Sequence, residues 1–180
     1  MSNHNQFQCL ILAGGLATRL RPLTENIPKA MVPVEGKPFV EYQIRLLKEF
    51  GITDIVLCIG HKGEMIKSYF KDGKNLGVNI TYSHEEVQLG TGGAIRNALD
   101  VLNDFFIVLY GDAYLNINYR KIIEFREQDK SEALLTVFRN EGNLDTSNVL
   151  FKDKKFVLYD KENPTKDMKY IDYGMSILSK

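Results

Sequence analysis

The feature that most constrains this chain is a regular exchange of two periodicities between Phe7 and Phe138. Apolar runs of strand length alternate with segments whose apolar residues recur at helical spacing. Phe7–Leu12, Ile52–Ile59, Val78–Tyr82, Phe105–Tyr110 and Leu134–Phe138 read as strands. Between them lie four helical patterns. Pro38–Phe50 carries Val40, Ile44 and Leu47 and stops at Gly51, and Glu64–Phe70 carries Ile66, Tyr69 and Phe70. Thr91–Leu102 carries Ile95, Leu99 and Leu102 on one face, and Tyr119–Gln128 is the last. A strand–helix succession of this kind predicts an α/β fold, an open and mostly parallel Rossmann-like sheet with helices on both faces. Ligands of such sheets bind beyond the carboxyl ends of the strands, where Gly14 and Asp112 fall. After Asn140 the texture changes: Ser147–Lys152, Lys154–Asp160 and Tyr170–Leu178 read as short strands, a small β-hairpin insertion followed by a return to the sheet.

Composition narrows the function. The 180 residues suit one domain with a substantial core. Twenty-three basic residues balance 23 acidic ones, so no bulk field favours nucleic acid or an anionic membrane, and any cationic function must be local. Cys9 and Cys58 both sit in apolar runs and read as buried free thiols of a reducing compartment. No apolar run approaches a membrane span and Met1–Gln8 lacks a signal-peptide core, which predicts a cytoplasmic protein. His4, His61 and His84 show no ligand spacing.

The local cationic function has an obvious place. The first strand stops at Gly14-Gly15, and a polar loop with Thr18, Arg19 and Arg21 follows, with Lys29 close behind. Backbone N–H groups near a residue without Cβ can approach phosphate oxygens, and two arginines and a lysine supply the charge a triphosphate needs. Two better-known phosphate loops fail on spacing. A dinucleotide fingerprint needs G-x-G-x-x-G, but Leu16 and Ala17 follow Gly15. A nucleoside-triphosphatase loop needs G-K-[ST], but Pro38 follows Gly36-Lys37 and Asn75 follows Gly73-Lys74.

The run Leu10-Ile-Leu-Ala-Gly-Gly-Leu-Ala-Thr-Arg-Leu-Arg-Pro-Leu-Thr24, continued by Ile27-Pro-Lys-Ala-Met-Val-Pro-Val-Glu-Gly-Lys-Pro38, resembles the signature of the sugar-phosphate nucleotidylyltransferases. The heptose- and hexose-1-phosphate guanylyltransferases are nearest in motif. The resemblance implies a nucleotide-diphospho-sugar transferase-like fold. It also implies attack of a sugar 1-phosphate oxygen on the α-phosphorus of a nucleoside triphosphate, with Mg²⁺ as cofactor and pyrophosphate released. It makes Arg19 the stabiliser of developing charge, because a guanidinium bridges two phosphate oxygens. Lys29 of the Pro-Lys pair becomes a phosphate contact, and Leu12, Ala13, Gly14, Gly15 and Thr18 the phosphate loop. Ala17 departs from the pattern, where relatives carry a third glycine.

Asp112, in Tyr-Gly-Asp after an apolar strand, becomes the Mg²⁺ ligand, since that ion takes few carboxylates plus substrate oxygens. The segment Glu85-Glu86-Val-Gln-Leu-Gly-Thr-Gly-Gly-Ala94 resembles the base-reading segment. Gly90, Gly92 and Gly93 would let backbone approach a flat base, and Thr91 would cap the next helix. A carboxylate only accepts hydrogen bonds, so Glu85 or Glu86 facing guanine's adjacent donors favours GTP. UTP, dTTP or CTP users, the choline-phosphate type included, and a catalytically weak nucleotide-binding regulatory module stay open as alternatives. Asp160-Lys161 resembles the family's sugar-phosphate pair, with the acid one methylene shorter. Asn148 and Asp172 stand where relatives build the sugar pocket, although Ser147-Asn148 replaces their Tyr-Gly. Relatives continue past the strand matching Ile171–Leu178 and supply a second metal-binding aspartate there. Residues 1–180 are therefore expected to form a single nucleotidyltransferase domain that is incomplete at its C-terminus. A homo-oligomer is compatible with this reading.

Overall fold

The computed structural model describes residues 7–15, 17–129, 131–140, 145–153 and 155–180; the side chain of Arg19 lies outside the described residues, as do His4, Leu16 and Lys154. In chain order the elements are β1 (Gln8–Leu12), β2 (Pro33–Val34), β3 (Lys37–Pro38), α1 (Phe39–Glu49), β4 (Asp54–Ile59), α2 (Gly63–Phe70) and β5 (Asn79–His84). There follow α3 (Gly90–Asn97), β6 (Phe105–Tyr110), α4 (Tyr119–Asp129), β7 (Ala133–Arg139), β8 (Val149–Lys152), β9 (Lys155–Tyr159) and β10 (Tyr170–Ser179). Short 3₁₀ turns at Thr18–Leu20, Lys29–Met31, Lys74–Leu76 and Leu99–Val101 complete it.

Strands β5, β4, β1 and β6 lie side by side and parallel. Covered on both faces, β1, β4 and β6 are apolar at nearly every position rather than at every second one, whereas the edge strand β5 is largely polar. Alternation then decides which helix each residue meets. Cys9, Ile11, Ile55, Leu57, Ile59, Ile107 and Leu109 pack with α1, α2 and α4 residues such as Ile44, Leu47, Ile66 and Tyr119. Leu10, Val56, Cys58, Phe106 and Val108 face the other way, onto Ala94 and Ala98. Each buried aliphatic or aromatic side chain of this kind contributes about 1.5–3 kcal/mol. Helix α1 ends as its sequence promised. Gly51 adopts φ 83°, and the N–H groups of Gly51 and Ile52 return to the carbonyls of Lys48 and Leu47 at 2.9 and 3.0 Å. That is a Schellman ending, which favours a residue without Cβ.

Beyond β6 the sheet departs from simple alternation. The next neighbour is not β7 but β10, which runs antiparallel to β6 through Met175–Ser179. Strand β7 pairs antiparallel to β10 instead. An antiparallel return needs no crossover helix, so β7 can lead through the β8–β9 hairpin directly into β10. The β10–β7 register shifts between Asp172 and Ser176, a bulge that contains Gly174. Bulges bend a strand and re-aim its side chains, and this one lies beside a cavity described below. Among the described residues no helix is long and apolar enough to cross a membrane.

Candidate active site

Two cavities open at the carboxyl ends of the parallel strands, and they share one wall. The first, about 300 Å³, is walled by the end of β1 and its loop (Leu12, Ala13, Gly14, Gly15, Ala17), by Lys29 and Ala30, and by Glu85 and Gln88. Gly90, Thr91 and Ala94 of α3 and Tyr110, Gly111 and Asp112 after β6 close it. The second, about 570 Å³, is bounded by Tyr110, Ala113, Asp145, Thr146, Asn148, Lys161, Ile171, Asp172, Tyr173 and Gly174. Tyr110 belongs to both.

In the first cavity Gly14 lies close beneath the Glu85 carboxylate. A Cβ there would stand 2.9 Å from Glu85 Oε1 and 3.4 Å from the Gly60 nitrogen. Gly15 has no atom within 4 Å of its Cβ position, so the space above the loop is open to a ligand. Ala17 holds φ 50° and ψ 43°, left-handed geometry that an L-residue adopts at a cost. Its carbonyl accepts hydrogen bonds from the Leu20 N–H at 3.0 Å and the Thr24 hydroxyl at 2.9 Å. The Lys29 ammonium donates to Asp112 Oδ2 in an ion pair whose side chains are 35% and 46% exposed. Glu85 Oε2 accepts from the Leu89 N–H at 3.2 Å.

In the second cavity Asp172 and Lys161 are joined through Tyr159. The Tyr159 hydroxyl donates to Asp172 Oδ2 at 3.3 Å, and the Gly174 N–H donates to Oδ1 at 2.8 Å. Contact with the Tyr159 hydroxyl raises the Lys161 ammonium above its ordinary range, so it stays cationic. Burial, reinforced by the Asp172 carboxylate, raises the Tyr110 phenol, which therefore stays protonated and able to donate. Asn148 Oδ1 accepts from the Asp172 N–H at 3.4 Å.

Of the residues singled out from sequence, Leu12, Ala13, Gly14, Gly15, Lys29, Glu85, Gly90, Thr91 and Asp112 meet around the first cavity. Asn148, Lys161 and Asp172 meet around the second. Thr18, Glu86 and Asp160 lie outside the two cavity walls, and the cap expected of Thr91 needs correction. Thr18 is exposed in the 3₁₀ turn and does not line the first cavity. Glu86 is exposed at the bend after β5, so of the two acids Glu85 faces the cavity. Thr91 does not cap α3, because the helix already begins at Gly90 and Leu89 takes the cap position. Asp160 is not part of the second cavity's wall. Its carboxylate accepts from the backbone N–H groups of Glu162 and Asn163 at 2.8 and 2.9 Å and staples their turn. Those bonds, Asn163 first, hold its carboxyl below the usual range. The Arg19 side chain lies outside the described residues.

Gln88, Tyr110, Asp145 and Thr146 were missed, and for Tyr110 a signal existed. On β6, Phe106 and Val108 face α3, and strand parity carries Tyr110 to the same side. The same parity separates Glu85 from Glu86, since Ser83 faces α3 and is hydrogen-bonded by Asn97 at 2.9 Å. Asp145 and Thr146 follow a segment without helical or strand periodicity and left no such trace.

Residues 8–152 match the family described as Nucleotidyl transferase. The chain belongs to that family. Among relatives of this nucleotidyl transferase chain, the D-glycero-alpha-D-manno-heptose 1-phosphate guanylyltransferase of Campylobacter jejuni is 44% identical over 115 residues, 64% of this chain and 52% of the relative. The UTP--glucose-1-phosphate uridylyltransferase AglF of Haloferax volcanii is 35% identical over 130 residues, 72% of this chain and 53% of AglF. The chain thus spans about half the length of these curated relatives. The crystal structure of HddC from Yersinia pseudotuberculosis complexed with GMP-PN superposes with a TM-score of 0.76 at 29% identity, over 96% of this chain and 76% of that one. The mixed sheet and its helices are those of the nucleotide-diphospho-sugar transferase fold.

Proposed function

We propose that this nucleotidyl transferase joins a nucleoside triphosphate, preferably GTP, to a sugar 1-phosphate. A phosphate oxygen of the sugar would form a bond to the α-phosphorus as the bond to the β-phosphate oxygen breaks, releasing pyrophosphate and leaving a nucleoside diphosphate sugar. The observation that carries this reading is the pair of cavities with Tyr110 as common wall, one offering Lys29, Glu85 and Asp112 and the other Lys161 and Asp172. Such a transfer asks little covalent chemistry of side chains; it asks that two anions be held in line and their charge neutralised. Lys29 takes the triphosphate, Lys161 the sugar phosphate, and Arg19 is assigned to the developing charge on its motif. Asp172, fixed by Tyr159 and Gly174, accepts from sugar hydroxyls. Tyr110 donates toward the junction of the two substrates.

The residues fit a divalent cation, Mg²⁺ by preference. Lys29 engages Oδ2 of Asp112, and Asp112 lines the first cavity. Among the described residues no group of three or more metal-ligating side chains converges, so Asp112 would hold the ion with water and phosphate oxygens, as Mg²⁺ accepts. When bound, the ion neutralises phosphate charge.

GTP is favoured because Glu85 presents an acceptor-only group beside α3, complementary to guanine's N1–H and amino group. The guanylyltransferase relative at 44% identity agrees with that choice. A matrix of GTP, UTP, dTTP and CTP against hexose and heptose 1-phosphates, read by pyrophosphate release and by calorimetric binding, tests it. Equal or tighter binding of UTP or dTTP would overturn the base assignment.

A further inference from the structure

Gln43 is buried in α1, only 2% exposed, and its side chain spans the turn that carries Asp112. Its Nε2 donates to the Tyr110 carbonyl at 2.8 Å and to the Ala113 carbonyl at 2.6 Å. Those two carbonyls stand at the ends of the four-residue turn Tyr110–Ala113, which is also closed by the Ala113 N–H returning to Tyr110 at 3.1 Å. The turn is tied to β1 by the Gly111 N–H, which donates to the Leu12 carbonyl at 3.0 Å. The orientation of the amide is forced, because rotating it would set Oε1 against two carbonyl oxygens. The forced orientation has a consequence: Oε1 is buried with no hydrogen-bond partner among the described residues. A buried acceptor left unmade opposes folding, so an apolar side chain would serve this place in the core better. What only an amide supplies is two donors, one for each end of the turn.

We infer that Gln43 is a positioning residue that acts through Asp112, fixing the direction of its carboxylate toward the first cavity from the opposite face of the sheet. The inference rests on the metal-holding role proposed for Asp112. Outer partners of metal-binding carboxylates orient them in this way, and their loss weakens metal affinity while the ligand itself is retained. Gln43 touches neither cavity.

The test uses the 180-residue chain, with Mn²⁺ and GTP as probes. Gln43→Met removes both donors at nearly constant volume, and Gln43→Glu keeps the shape but replaces the two donors with an acceptor. Amide hydrogen exchange at Ala113 and Gly111 reads the clamp without metal, and the enhancement of water-proton relaxation by Mn²⁺–GTP over its protein-free value reads metal held by the protein. Both variants should speed exchange at Ala113 while β1 and β4 amides keep their protection, and should weaken Mn²⁺ affinity roughly tenfold or more. In an Asp112→Asn background, Gln43→Met should leave residual Mn²⁺ affinity unchanged. Unchanged exchange at Ala113 would overturn the clamp. Faster exchange with unaltered Mn²⁺ affinity, or a full additional loss in the Asp112→Asn background, would overturn action through Asp112. Wild-type protein that binds no Mn²⁺ with GTP would overturn the proposed function instead, a result visible before any Gln43 variant is made.

Discussion

Replacing Ala17 by glycine should stabilise the protein, although it deletes a methyl group from the wall of the first cavity. Ala17 sits at φ 50° and ψ 43°, the left-handed region, and its carbonyl anchors two hydrogen bonds that hold the loop together. A left-handed conformation costs an L-residue about 1–2 kcal/mol through the approach of Cβ to the following carbonyl. Glycine escapes that cost but gives back about 0.4–1 kcal/mol, because its unfolded chain is freer. The net gain for Ala17→Gly is therefore centred on about 0.8 kcal/mol within about 0–1.6 kcal/mol, which at roughly 2–4 °C per kcal/mol for a domain of this size raises Tm by about 2–3 °C at the centre of that range. Ala17→Val should move the other way, since a β-branched side chain tolerates positive φ least. Thermal unfolding of the three proteins, followed by circular dichroism at fixed pH and scan rate, gives the order Gly above Ala above Val. A glycine variant that melts below the parent, or a valine variant that equals it, would refute the argument from backbone strain.

Three further outcomes follow from the geometry. Lys29→Ala and Asp112→Asn break a half-exposed ion pair, so each should change unfolding stability by no more than about 1 kcal/mol, while calorimetry should show the Mg²⁺-supported gain in GTP affinity gone for Asp112→Asn. Glu41 is buried in α1, which alone would raise its carboxyl, but hydrogen bonds from Arg45 at 2.7 Å and Tyr69 at 2.9 Å outweigh burial and hold it below the ordinary range. Its stabilising contribution is thus present above the unfolded carboxyl value and lost as pH falls through the lower folded one: Glu41→Gln should melt less stable by about 1–2 kcal/mol at pH 7, with the gap closing in acid. Glu85→Gln should narrow the preference for GTP over UTP in competition binding, and an unchanged ratio would remove Glu85 from base reading.

The parallel half of the sheet was legible because β1, β4 and β6 are apolar runs buried on both faces and the helices between the strands carry apolar residues at helical spacing. The predicted helix Pro38–Phe50 is α1 within a residue at each end, and Gly51 ends it as foreseen. What the pattern could not convey was partnership. Nothing local in Leu134–Phe138 says that its neighbour is a strand more than thirty residues later, because strand pairing is set by packing and not by periodicity. The two-residue strands β2 and β3 were too short to have a period at all. For the site, residues on one contiguous loop or turn, such as Gly14 and Asp112, could be named from their motif. Gln43 could not, since its amide reads in sequence as one more polar residue of an amphipathic helix. Asp160 shows the opposite case: an acid beside a lysine reads as a binding pair, and the turn that Oδ1 holds by accepting from the two N–H groups that follow it leaves no trace in the pattern.

The place of β10 bears on how the chain assembles. The run β1–β4–β5–β6 can pair from residues 8 to 110, each strand docking on one already made. Strand β7 has no such option: its ladder is with β10, so residues 133–139 must wait for residues 170–178 before their backbone groups on that side are satisfied. During synthesis at about 5–20 residues per second, that interval leaves an unpaired strand exposed for a few seconds. Strand β10 is thus the one that bridges β6 and β7, pairing antiparallel with both. Early pairing of the parallel strands around the first cavity and later pairing of β7 with β10 beside the second are built into the order of the strands, and pulse-labelled hydrogen exchange should find β1, β4 and β6 protected before β7.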